Sequence, residues 1–160
     1  MRINQTEGTM NIRIGRVVAA GIIGTAVMTM VGIWVAPMMG IPPMNPAEML
    51  AGAMGGNLAI GWIAHFMVGT ILALIYAVIA PRLPGTPVVR GALYGIAPFL
   101  VAQLMVMPMM GMPLFSGSMV MAMGSLIGHL IYGAVVGAVY GPVPRNVGAG
   151  SDRQAVGAFR

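Results

Sequence analysis

His65-Phe-Met-Val-Gly69 followed by Tyr76, and His129-Leu-Ile-Tyr-Gly133 followed by Tyr140, decide how this chain is read. In each stretch a tyrosine stands eleven residues beyond the histidine. The segments that come before them also end alike, in Pro37-Met-Met-Gly-Ile-Pro42 and Pro108-Met-Met-Gly-Met-Pro113. Residues of about 16–80 and 88–141 are therefore two copies of one hairpin. The chain's 2 histidines fall at equivalent places in the copies.

The composition says what surrounds those hairpins. Apolar residues make up 58% of the 160 positions and charged residues 7%, whereas a soluble domain carries about 25% charge. Four apolar stretches, 17–35, 58–80, 88–107 and 119–140, have the length of about 20 residues that a helix needs to cross a bilayer. A proline follows each of them at Pro37, Pro81, Pro108 and Pro142. Proline cannot continue a helix and biases its predecessor toward extended backbone, so these prolines are read as helix stops. The expected fold is an all-α membrane protein, a four-helix transmembrane bundle built from two tandem helical hairpins.

Arginine sets the orientation. Arg2, Arg13 and Arg16 precede the first span, Arg82 and Arg90 lie between the second and third, and Arg145, Arg153 and Arg160 follow the fourth. The loops 36–57 and 108–118 hold no arginine, and Glu48 is their only charge. Positive residues are retained on the cytoplasmic side, so both termini are expected there, in a bacterial inner membrane. Residues 1–15 read as a cytoplasmic segment and 142–160 as a disordered tail. Residues 1–9 look like an irregular extension, with Met10 as an alternative start. A cleaved signal peptide fits residues 1–36 poorly, because the apolar run is span-length and no Ala-x-Ala-type site follows it. The net charge of +5 comes from eight scattered arginines without a dense basic run, which argues against nucleic acid as a partner.

Small residues let membrane helices approach closely. Gly61, His65 and Gly69 form one stripe, and Ser125, His129, Gly133 and Gly137 form another. Both histidines therefore belong in packing seams. Eleven residues of helix put each roughly 16 Å above its tyrosine, and tyrosine is expected in the interfacial belt. Tyr94, Trp34 and Trp62 are read as interface anchors in the same way. The histidines should then lie near the midplane, facing each other across a pseudo-two-fold along the membrane normal. Gln103 reaches a similar depth, roughly 13 Å from Tyr94.

Three chemistries compete for this pattern. Haem iron accepts two axial imidazoles, so His65 and His129 are candidate ligands of a haem b for electron transfer, with Gly69 and Gly133 leaving room for the porphyrin edge and Gln103 beside it. Propionates would lack a cation in the outer half. Alternatively, the histidines bond each other, Gln103 or Thr29, and the protein is a structural or accessory subunit of a larger membrane complex or a homo-oligomer, without cofactor. A proton relay is a thinner version, since no carboxylate accompanies the histidines. Third, methionine accounts for 18 residues, and soft thioethers select Cu(I). The duplicated Met38, Met39, Met109 and Met110 are candidate ligands, against the simpler role of adaptable filler. Cysteine is absent, and no hydrolase, kinase or dinucleotide motif occurs, so no enzyme is expected.

Gly21–Met30, Pro37–Leu50 with its Met-Asn-Pro-Ala-Glu-Met-Leu segment, Gly56–Tyr76, Gly91–Gly111 and Gly124–Gly141 carry a resemblance. Over most of 16–141 the chain resembles an uncharacterised family of small bacterial four-helix membrane proteins. The resemblance implies that architecture and no activity.

Overall fold

The computed structural model describes residues 12–143; Arg2, the three C-terminal arginines and the expected disordered tail from residue 144 onward lie outside them. Five helices follow in order: α1 (Ile14–Met38), α2 (Pro46–Ala53), α3 (Leu58–Arg82), α4 (Pro87–Met109) and α5 (Met119–Tyr140). All but α2 are long and apolar enough to cross a membrane. Among the described residues there is no strand. The all-helical fold with four spans stands as expected.

Polar residues start each helix after the first. Asn57 accepts from the amides of Ala59 and Ile60 to start α3, Thr86 caps α4 ahead of Pro87, and Ser118 caps α5. These side chains satisfy amides that have no carbonyl partner in the first turn.

Three prolines read as stops lie inside helices instead, Pro81 among them in the 3₁₀ turn that closes α3. Pro37 and Pro108 belong to the last turns of α1 and α4. Directly before each, the helix widens into a π turn, Val31–Val35 in α1 and Ala102–Val106 in α4. A proline ring collides with the carbonyl four residues earlier. Widening the turn moves that carbonyl aside, and the helix runs on through the proline. The duplication thus extends to the irregularities of its helices.

The first loop contains a second departure, because α2 folds back onto α3. Asn45 accepts from Ala47 N at 3.1 Å and donates to Glu48 Oε1 at 2.9 Å, with Pro46 in the first turn. Asn45 is thus the N-cap, and Glu48 holds its side-chain amide in place. A Cβ on Gly61 of α3 would run into the backbone of Ala47 and Ala51, so the bare glycine is the seat of α2.

The four spans stand in the spatial order α3–α1–α5–α4. α1 packs against both α3 and α5, and α5 packs closely on α4, while α3 and α4 barely meet. A pseudo-two-fold would require the α1–α5 seam to be matched by an α3–α4 seam, so that expectation is corrected. The reason lies in the small residues. On α1, Gly21 meets Thr70 of α3 and Gly24 meets Val136 and Tyr132 of α5, which gives two smooth faces. On α4 the positions corresponding to Ala20 and Gly24 are Gly91 and Gly95, and both press on the backbone of α5. The position corresponding to Thr25 is Ile96, which is bulky and exposed. α4 has one smooth face where α1 has two.

Candidate functional site

The missing α3–α4 seam leaves a cavity of about 720 Å³ inside the bundle. His65, Val68 and Leu72 border it from α3, Tyr94, Ala97 and Gln103 from α4, and Ser125, His129 and Tyr132 from α5. Thr25 and Met28 of α1 close the far side, and α2 with its approach covers one end through Met44, Glu48 and Met49. Val68 and Val101 stand exposed on α3 and α4 at the uncovered edge. The cavity therefore opens sideways, where lipid surrounds a membrane protein.

Tyrosines close the opposite end, nearer the arginines. Tyr94 Oη donates to Leu72 O at 2.8 Å and Tyr132 Oη to Gly69 O at 2.5 Å, both carbonyls of α3. Tyr76 packs edge-on against Tyr94 and Tyr140 at 5.4 and 6.0 Å between ring centres. All four rings are buried, so Tyr76, Tyr94 and Tyr140 are core groups and not the interfacial belt expected of them. A buried phenol needs an acceptor, and helix carbonyls opposite small residues supply it. Trp34 alone of the expected anchors is exposed, and Trp62 is half-buried against Phe66. Beyond the tyrosines, Arg13 bonds Tyr140 O and Pro142 O at 3.0 and 3.1 Å, and Arg90 reaches Val143 O at 3.4 Å. Cations at a helix C-terminus meet its negative dipole end, so this arginine end anchors the exit of α5.

Each histidine is held inside its own hairpin. His65 Nε2 lies 2.9 Å from Thr29 Oγ1, which itself donates to Thr25 O at 2.8 Å. Thr29 has a single hydroxyl proton and spends it on that carbonyl. His65 Nε2 is therefore the donor, and Nδ1 keeps a lone pair. His129 Nδ1 lies 2.8 Å from Ser125 O. A carbonyl only accepts, so Nδ1 carries the proton and Nε2 keeps the lone pair. Among the described residues only Thr25 Oγ1 and Arg90 Nε are fully enclosed without a partner. Neither remaining imidazole nitrogen is among those enclosed atoms, and both histidines border the cavity. The expected Thr29 bond is present. The two rings line one cavity without a hydrogen bond to each other.

Gln103 is 1% exposed and links two elements. Its amide donates to Ser125 Oγ at 3.0 Å and its oxygen accepts from Ser116 Oγ at 3.2 Å. Ser116 and Phe115 both have positive φ, 58° and 53°, a conformation that residues other than glycine adopt only under constraint. It places the Ser116 hydroxyl on Gln103 and, through Ser125, sets the position of His129. Sequence reading found Gln103 but not Ser116 or Ser125 as its partners, since their meeting depends on the loop's left-handed turn. Replacing Gln103 with leucine takes the partner of Ser116 Oγ and the Gln103 donor from Ser125 Oγ, which keeps only the longer contact to His129 Nδ1 at 3.5 Å. It should lower stability by about 1–3 kcal/mol, read as a fall in the detergent-solubilised melting temperature.

The two glycines expected to make room beside the histidines are used in helix packing. A Cβ on Gly69 would strike Thr25 Oγ1, and one on Gly133 would strike the carbonyl of Gly91. Space for a ligand comes from the absent α3–α4 seam instead. The Pro-Met-Met segments divide in two. Met38 and Met109 are 86% and 83% exposed, whereas Met39 and Met110 border the cavity. Among the described residues no group of three or more His, Cys, Asp or Glu side chains converges.

Residues 12–147, covering both hairpins, match the model of a family of unknown function, DUF6789. The chain belongs to the DUF6789 family. No curated protein and no solved structure matches it. The DUF6789 match brings no assigned residues, so the chemistry of the site rests on its geometry alone.

Proposed function

We propose that this DUF6789 chain is a non-enzymatic membrane protein that draws a small lipophilic molecule out of the bilayer into the cavity, with His65 and His129 as its polar contacts. The observation that carries the reading is the pairing of an open α3–α4 edge with two histidines on the cavity wall, each with one ring nitrogen left free by its hydrogen bond. Ligand sites are mostly apolar, span roughly 300–1,000 Å³ and hold a few convergent polar groups; the cavity's 720 Å³ falls in that range. The positive-inside pattern favours a bacterial plasma membrane with the arginine end in the cytoplasm.

Haem b is one form of this reading, with both free nitrogens on the iron. A neutral ligand suits the cavity better, because no arginine borders it to receive propionates and Glu48 sits at its rim. A second reading, an accessory subunit of a larger complex, draws on the hydrogen bonds that hold both rings in place without any ligand. The Cu(I) reading draws on the methionines that reach the cavity, and metal analysis tests it.

Ala97 stands exposed at the uncovered edge, where a phenylalanine can block passage without disturbing a seam. Native mass spectrometry from lipid nanodiscs should show a bound lipophile on the wild type. Ala97→Phe should reduce that occupancy by about tenfold, equivalent to about 1.4 kcal/mol. Equal occupancy in the two proteins, or none in either, would sink the reading. A Soret band lost in both His65→Ala and His129→Ala would replace the neutral ligand with haem.

A further inference from the structure

The nature of the lone pairs restricts what the cavity can hold. His65 Nδ1 and His129 Nε2 are acceptors on two different helices, fixed as such by the hydrogen bonds their other nitrogens make. A ligand that satisfies both must bring two donors. A carbonyl, ester or ether head brings none. A phosphate or carboxylate head brings charge into a cavity bordered by no arginine and by Glu48.

The lining restricts the head further. Met28, Met44, Met107 and Met121 border the cavity, and Phe99 stands edge-on to the His129 ring at 6.0 Å. Thioether sulfur makes favourable contacts with aromatic rings and adapts to flat, irregular shapes. The uncovered edge between Val68 and Val101 supplies a way out for an apolar tail. A flat aromatic head with two donors and an apolar tail meets these conditions together.

We propose that the ligand is a lipid-soluble hydroquinone, its two ring hydroxyls donating to His65 Nδ1 and His129 Nε2 and its tail leaving between α3 and α4. This rests on the cavity being a ligand site and adds the class of ligand. It involves binding only and no electron transfer. The oxidised quinone carries two acceptors where the hydroquinone carries two donors, so it meets lone pairs with lone pairs. The site therefore discriminates the redox state of a pool molecule by hydrogen-bond polarity.

The test uses the full chain in nanodiscs and three probes: a decyl-tailed benzohydroquinone, its quinone, and its bis-methyl ether. Each hydrogen bond gained is a modest net contribution, so the two together should favour the hydroquinone over quinone and ether by about thirtyfold. In His65→Leu and His129→Leu the preference should fall by about fivefold each, with quinone affinity unchanged. The wild-type comparison stands even if a variant does not fold. Equal binding of hydroquinone and ether, or tighter binding of quinone, overturns the hydroquinone assignment while leaving a lipophile site. Absence of any bound lipophile, in these titrations and in native mass spectrometry, overturns both.

Discussion

Gly91→Val is expected to abolish recovery of the folded protein. A side chain at Gly91 would begin inside the van der Waals shell of the Gly133 carbonyl, with Gly133 C at 2.7 Å and Gly137 N at 2.9 Å. All three are backbone atoms of α5, so no rotamer relieves the collision and the helices must separate. Gly95, Gly133 and Gly137 meet backbone in the same way along this seam, and moving one crossing point opens its neighbours. Overpacking of this kind costs about 3 kcal/mol or more, against a total stability of about 5–15 kcal/mol. Monodisperse yield and melting temperature in detergent are the measurements. Gly52→Ala in α2 is the control, because a Cβ there meets nothing within 4 Å and alanine improves helix propensity by up to about 1 kcal/mol. A Gly91→Val protein that melts like the wild type would show that α4 and α5 do not cross at this point.

Gly61→Val should release α2 while leaving the four spans in place. The new Cβ would collide with the Ala47 carbonyl and stand 2.9 Å from Ala51 N, so α2 cannot keep its seat on α3. A helix of eight residues is marginal on its own in water and depends on that seat. Loss of about 2 kcal/mol of local stability corresponds to about thirtyfold faster amide exchange across 46–53. The amides of α3 should keep their protection. Because α2 covers one end of the cavity, ligand retention should fall as well. Unchanged exchange at 46–53 would place the support of α2 elsewhere.

Much of the bundle could be read from the residues. The spans follow from hydropathy, and the stripes Gly61/His65/Gly69 and Ser125/His129/Gly133 correctly predict seams. α2 also announces itself in the sequence, through Asn45 as cap, Pro46 in the first turn and Glu48 three residues after the cap. Pro37 and Pro108 mislead because a proline's clash is local and a π turn relieves it locally; hydropathy carries no mark of that. The tyrosines mislead for a related reason. An amphipathic ring suits a membrane interface and a helix seam alike, and neighbouring carbonyls such as Leu72 O for Tyr94 and Pro87 O for Tyr76 decide which.

The cavity was the least legible part. Sequence places His65 and His129 at one depth, but whether they touch or flank a space depends on which helices pair. That choice turns on α4 carrying Ile96 at the position where α1 carries Thr25. No periodic pattern registers which face of α4 finds a partner. Thr29 of α1, which bonds His65, likewise corresponds to Leu100 of α4, and Gln103 of α4 corresponds to Gly32 of α1.

Those unequal pairs bear on why the hairpins share one chain. Two separate hairpins assembling as a symmetric dimer would carry every substitution twice, since an isologous interface repeats the same residues on both sides. A substitution that opened one seam would open its twin as well. Gene fusion lifts that constraint. The histidine-tyrosine arm, which serves both halves, could stay common to them, while Thr25 and Ile96, Gly32 and Gln103, and the loop that became α2 were free to diverge. Asymmetry of this kind lets a small protein keep three of its helix seams closed and specialise the fourth.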